Sequence, residues 1–128
     1  MAKHILLGIK GENLAVEYLE KLGYEICDRN WTFKKSEIDI VAYKDQKLVF
    51  VEVKTRSNNA FGEPEDFVGQ AKQRVLDRAA EAYIHLINYG GEIRFDVIAI
   101  LFNSAGAYTL RHIEDAFWPQ AFWLEYVL

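Results

Sequence analysis

A chain of 128 residues with 51% apolar and 14% aromatic side chains has enough hydrophobic surface for a real core, and it is expected to form one domain over residues 1–128 with an aromatic tail at about 117–128. Its single cysteine, Cys27, excludes an internal disulfide and a multi-cysteine zinc site, and the three histidines at 4, 85 and 112 are too scattered for a ligand cluster, so any metal would be a hard cation held by oxygen. A net charge of −4 excludes a uniformly basic nucleic-acid binder, although Lys34, Lys35, Lys54, Arg56, Lys72, Arg74 and Arg78 crowd the middle of the chain and leave room for a local basic rim.

There is no 18-residue apolar run, and the start at residues 1–8 is too short and too soon interrupted by Gly8, Lys10 and Glu12 to be expected as a signal peptide. A cytoplasmic protein without a membrane partner is the expectation. Ala15, Val16, Tyr18, Leu19 and Leu22 recur at helical spacing before Gly23, which predicts an amphipathic helix over about 9–22 with a glycine stop. Glu12 falls inside its apolar arc. That is either a helix-start glutamate favoured by the macrodipole or a carboxylate aimed at the sheet.

Residues 24–33 predict a strand. Residues 37–43 and 48–54 predict a hairpin turning about Asp45 and Gln46, apolar on both faces near its turn and therefore covered on both sides. Residues 55–65 predict a loop. Val68, Ala71, Val75, Leu76, Ala79, Ala82, Tyr83 and Leu86 mark a second helix, closed by Asn88 and Gly90–Gly91, with Asp77 pointing away from the apolar stripe. Lys72 lies inside that stripe, where it either snorkels along its stem or reaches a phosphate or carboxylate. Residues 93–102 and 108–113 predict two last strands, with Asp96 a structural interruption of the first. The tail either packs on the core or makes a dimer contact.

The chemistry concentrates in the hairpin. With the turn centred between Asp45 and Gln46, antiparallel pairing sets Asp39 opposite Glu52 and Glu37 opposite Lys54. Two carboxylates about 5 Å apart at an effective dielectric near 20 repel by roughly 3 kcal/mol, and a divalent cation would offset that. Asp39, Glu52 and the Val53 backbone carbonyl can supply oxygen ligands to Mg²⁺ or Mn²⁺, and Glu12 can complete the site directly or through water. Lys54, on the same face as Glu52, can hold or deprotonate an attacking water or neutralise a phosphoryl group. This is equipment for metal-assisted phosphodiester hydrolysis, with Glu12, Asp39, Glu52 and Lys54 as the catalytic set. Lys34, Lys35, Arg56, Lys72 and Arg74 form the candidate nucleic-acid rim.

Asp39, twelve residues, then Glu52-Val53-Lys54 resembles the PD-(D/E)XK nuclease signature, and Glu12 matches the additional acidic residue of its Holliday junction resolvase branch. Residues 8–23, Arg29-Asn30-Trp31, Glu37-Ile38-Asp39, residues 50–56, Phe61-Gly62, Lys72-Gln73-Arg74 and residues 94–97 together resemble the YraN family of predicted endonucleases, over about residues 8–115. The resemblance implies an α/β, restriction-endonuclease-like three-layer fold with a central mixed sheet flanked by helices. It also implies Mg²⁺ dependence, a DNA substrate of branched or repair-intermediate kind and, by analogy with resolvases, a homodimer. Ile38 stands where the superfamily signature has proline.

The reading is a metal-dependent DNA endonuclease. The alternative is a non-catalytic nucleic-acid-binding accessory protein that keeps the fold, and a third is an interaction module acting through the aromatic tail.

Overall fold

The computed structural model describes residues 3–57 and 68–117. Helix α1 (Lys3–Lys21) leads into strands β1 (Glu25–Phe33), β2 (Ser36–Lys44) and β3 (Lys47–Arg56), followed by helix α2 (Gln70–Ile87), β4 (Glu92–Phe102) and β5 (Tyr108–Ile113). The strands form one five-stranded sheet in the order β1-β2-β3-β4-β5. All neighbours are antiparallel except β3 and β4, which α2 connects in parallel. The result is the expected α/β arrangement, a mixed sheet between two helices.

Local chemistry explains the element boundaries. Gly23, at φ +94°, ends α1 in the left-handed region that a glycine adopts without penalty. Asp45 and Gln46 both take positive φ, 51° and 64°, the signature of a two-residue type I′ turn whose twist suits a hairpin. Asn88, at φ 55°, closes α2. Helix α1 begins earlier than periodicity suggests. Ile5, Leu6 and Ile9 are about half exposed, so its first turns carry no apolar stripe to announce them, and Gly8 does not break it.

Each face of the sheet is buried under one helix. Ala15 and Leu19 of α1 pack on Ile40, Ala42, Val49, Val51, Ile98 and Ile100. Leu76, Ala79, Ala80 and Tyr83 of α2 cover Val41, Leu48, Phe50, Phe95 and Val97. The hairpin is therefore covered on both sides, as its sequence requires. The buried stripe of α2 is rotated from the expected one: Val75 and Leu86 are exposed and Asp77 is buried. Phe117 stacks on Phe95 with ring centroids 5.1 Å apart; the rest of the aromatic tail, and residues 58–65 of the expected loop, lie outside the described residues. Thr55 and Arg56, read as the start of that loop, belong to β3.

Asp96 is structural, as expected, and fully buried. It receives two hydrogen bonds from Arg94 at 2.8 Å and the Asp115 amide at 3.0 Å, and His112 Nε2 stands 2.7 Å away. Burial alone would raise its pKa, but bonds from His112, Arg94 and Asp115 outweigh burial and hold it below the ordinary carboxylate value. Arg94 also donates to the Tyr24 hydroxyl at 2.7 Å, and the Tyr18 hydroxyl meets His112 Nδ1 at 3.0 Å. This network fastens the end of α1 to β4 and β5.

Candidate active site

Three local features bring the acidic residues together. The first is Gly11, buried on α1. A Cβ at this position would collide with Thr55 Oγ1 of β3, so the glycine lets the helix lie against the strand and carries Glu12 with it.

The second is Asn30, a non-glycine residue at φ 51°. The β1–β2 ladder pairs Arg29 with Ile40 and Trp31 with Ile38, and the strict alternation of β2 fails between these pairs. Ile38 joins the cluster under α2, whereas Ile40 joins the one under α1. Asn30 also bridges the acids, its amide donating to Glu12 Oε1 at 2.8 Å and to Glu37 Oε1 at 3.0 Å.

The third is the parting of β2 and β3. Their ladder runs from Lys44–Lys47 to Ile40–Val51 and stops there. The expected facing pairs Asp39–Glu52 and Glu37–Lys54 are therefore not formed. Instead the Val53 amide donates to Asp39 Oδ2 at 2.8 Å, a side chain occupying the place of a ladder carbonyl. Lys54 leans on its own strand neighbour, with Nζ 3.7 Å from Glu52 Oε1. Lys72 of α2 reaches the same oxygen at 3.9 Å, so of its two expected roles it takes contact with a carboxylate.

The outcome is a group of three carboxylates, Glu12, Glu37 and Asp39, with an oxygen from each lying within 4.8 Å of the others. The sequence offers Glu37 as the residue opposite Lys54 and as part of the Glu37-Ile38-Asp39 segment, but not among the candidate metal ligands. The signal for it was its spacing, since residues two apart on a strand share a face and Glu37 precedes Asp39 by two. Glu52 stands outside this trio but is coupled to it. Burial, then the charge of Glu52, push the Asp39 pKa up to about 7, with Glu12 and Glu37 adding to the effect and the Val53 amide opposing it. Glu52, 7% exposed, is also raised by burial despite the lowering influence of Lys72 and Lys54. Its Oε2 is buried and has no hydrogen-bond partner among the described residues. Crowded carboxylates with an unsatisfied buried oxygen are the donor set a hard divalent cation takes.

The expected nucleic-acid rim is divided. Lys34 and Lys35 occupy the two-residue turn between Phe33 and Ser36, and Arg74 is exposed on α2. Arg56 donates to the Thr55 carbonyl at 2.8 Å, and only Lys72 touches Glu52.

Fold and site together define an α/β protein whose mixed sheet opens, where β2 and β3 part, onto a carboxylate cluster flanked by two lysines. The chain belongs to the UPF0102 family, described as "Uncharacterised protein family UPF0102", which matches residues 11–100, and this bears out the YraN-like resemblance. A UPF0102 protein of Flavobacterium psychrophilum is 49% identical over 118 residues, covering 92% of this chain and 98% of that one. One from Bacteroides thetaiotaomicron is 47% identical over 95% of this chain and all of its own length, and one from Clostridium perfringens is 44% identical over 87% and 93%. No helix among the described residues is long and apolar enough to cross a membrane.

Proposed function

We propose that this protein is a metal-dependent DNA endonuclease that hydrolyses phosphodiester bonds, with branched or repair-intermediate DNA as its substrate. The observation that carries the reading is the convergence of Glu12, Glu37 and Asp39 within 4.8 Å beside a buried glutamate held by two lysines. A structural cluster of this kind would be self-repelling, and the Asp39 pKa is raised first by burial and then by the charges of Glu52, Glu12 and Glu37.

Glu12, Glu37 and Asp39 are the residues that would hold Mg²⁺ or Mn²⁺, with Glu52 supplying its unsatisfied Oε2 directly or through water. Bound there, a divalent cation supplies Lewis acidity toward the phosphodiester and lowers the pKa of water. The residues do the rest. Asn30 holds Glu12 and Glu37 in place through one amide. The Val53 amide orients Asp39. Lys54, only 18% exposed along its side chain, orients the attacking water and stabilises charge developing on the phosphoryl oxygens. Lys72, more exposed and on the opposite element, stands to meet the incoming phosphate.

The test is cleavage of end-labelled four-way-junction, flap, duplex and single-stranded DNA in Mg²⁺ or Mn²⁺, with the wild type beside Glu52→Ala. Cutting of at least one substrate that disappears in the variant is the expected result. A protein that cuts none of them while binding metal normally loses the hydrolytic reading, and the accessory-protein alternative takes its place.

A further inference from the structure

A groove beside the acidic cluster remains without a role. Phe33, Lys34, Lys35 and Ser36 of the β1–β2 turn face Val75 and Arg78 of α2 across a pocket of about 250 Å³. Its floor is apolar, its rim carries three cations, and no carboxylate lines it among the described residues. Val75 is 38% exposed although it belongs to the helix's apolar periodicity, so α2 presents an apolar residue to this groove instead of to the core. A second hollow continues from Phe33, Lys34 and Arg78 toward Glu81 and His85, a pair 3.5 Å apart that ends the cationic stretch.

The groove lies in line with the candidate active site on both of its walls. Ser36 immediately precedes Glu37. On α2, Lys72, Val75 and Arg78 follow at three-residue steps, each the neighbour of the next in a row that rises about 9 Å and winds from the sheet toward the exposed side of the helix. Lys72 touches Glu52 at the start of that row and Arg78 borders the groove at its end.

The turn itself points the same way. Lys34 holds φ 56°, a conformation for which a two-residue hairpin turn prefers glycine or asparagine. The lysine is strained where a glycine would be relaxed, and it is exposed with its Nζ 5.3 Å above the Phe33 ring.

We infer that this groove holds an unpaired nucleotide of a DNA strand running from the active site. The base lies against Phe33 and Val75, and the flanking phosphates meet Lys34, Lys35 and Arg78. An apolar floor with a cationic rim matches the two faces of a single strand, a base that stacks and a backbone that is anionic. A duplex keeps its bases paired and stacked and offers the groove nothing to place on its floor. This inference rests on the nuclease reading and deepens it, since it assigns the protein substrates with a single-stranded arm next to the scissile bond.

The test is binding of fluorescein-labelled (dT)15 and of a blunt hairpin duplex by fluorescence anisotropy in EDTA, where no hydrolysis occurs. The wild type is expected to bind (dT)15 more tightly than the duplex. Lys35→Ala/Arg78→Ala is expected to lose about tenfold or more on (dT)15 and less than threefold on the duplex, while Lys21→Ala, at the far end of α1, changes neither. Lys34→Gly separates binding from folding: it should raise the melting temperature by relaxing the turn and still weaken (dT)15 binding severalfold. Wild-type indifference between the two probes, equal losses on both, or no loss in the groove variants overturns the inference. A protein that binds (dT)15 through the groove yet cuts nothing keeps the groove and loses the nuclease reading. One that cuts flap DNA at full rate with the groove variants keeps the nuclease reading and loses the groove.

Discussion

The Asp39 carboxylate accepts the backbone N–H of Val53 at 2.8 Å, one step beyond the last ladder pair of β2 and β3, Ile40 with Val51. A strand that gives up a ladder bond to an ionisable side chain fixes that side chain as firmly as a backbone atom, and here it fixes it among other carboxylates. The arrangement is unfavourable in isolation, and its consequences are measurable.

Divalent cations should stabilise the protein through Asp39. At a concentration a hundredfold above the dissociation constant, binding to the folded state alone adds about 2.7 kcal/mol, which for a domain of this size is a rise of roughly 10 °C in melting temperature. Thermal melts in Mg²⁺, Mn²⁺ and EDTA should show that rise in the wild type and its loss in Asp39→Asn. In EDTA the Asp39→Asn protein should melt above the wild type, because the substitution removes one of the mutually repelling charges.

The same site sets a pH dependence in the metal-free protein. Asp39 has an ordinary pKa of 3.8, raised to about 7 in the fold, so between those values the folded state binds more protons than the unfolded one. Stability from this group is then fully present below about pH 3.8 and is lost as pH rises through about 7. Comparing wild type with Asp39→Asn in EDTA isolates the effect: the advantage of the variant should grow from near zero at pH 4 to a few kcal/mol by pH 8. A difference independent of pH would mean that Asp39 titrates normally.

Much of this molecule was legible in its sequence. The two-residue turn at Asp45 and Gln46, the glycine stop at Gly23 and the doubly covered hairpin all follow from local patterns, because each rests on a rule about neighbouring residues. Glu12 was legible for the same reason, through its azimuth on α1. What escaped depended on a break in a regular pattern. The Asp39–Glu52 pairing was extrapolated from a ladder assumed to continue, and nothing in the residue order announces that the Val53 amide bonds to a side chain. Asn30 reads as one more strand residue, and neither its positive φ nor its two acidic partners show in the residue order. Asp77 is charged and falls outside the apolar stripe on a helical wheel, whereas the buried side of α2 is rotated to include it.

Asn30 gives a prediction that separates geometry from stability. Asn30→Gly keeps the left-handed backbone at no conformational cost and removes only the amide that ties Glu12 to Glu37. The variant should fold with a melting temperature in EDTA within about 3 °C of the wild type, while its affinity for Mn²⁺ falls about tenfold, in the range usual for loss of a residue that orients ligands. Calorimetric titration with Mn²⁺ reads the affinity directly. Unchanged affinity would show that Glu12 and Glu37 hold their positions without the bridge.

The approach of α1 to β3 should be equally specific. Gly11→Ala introduces a methyl group into Thr55 Oγ1, and overpacking of this kind costs about 1–3 kcal/mol. The clash sits beside Glu12, so relieving it by moving the helix also moves a carboxylate of the cluster. Gly11→Ala should therefore lose both stability and the metal-induced rise in melting temperature. Thr55→Ala removes the offending oxygen, and the double variant Gly11→Ala/Thr55→Ala should recover most of each loss. Such coupling between residues in contact is what a double-mutant cycle measures. Additive losses would instead mean that α1 can yield at Gly11 without the site noticing, and that Glu12 is held by Asn30 rather than by the helix that carries it.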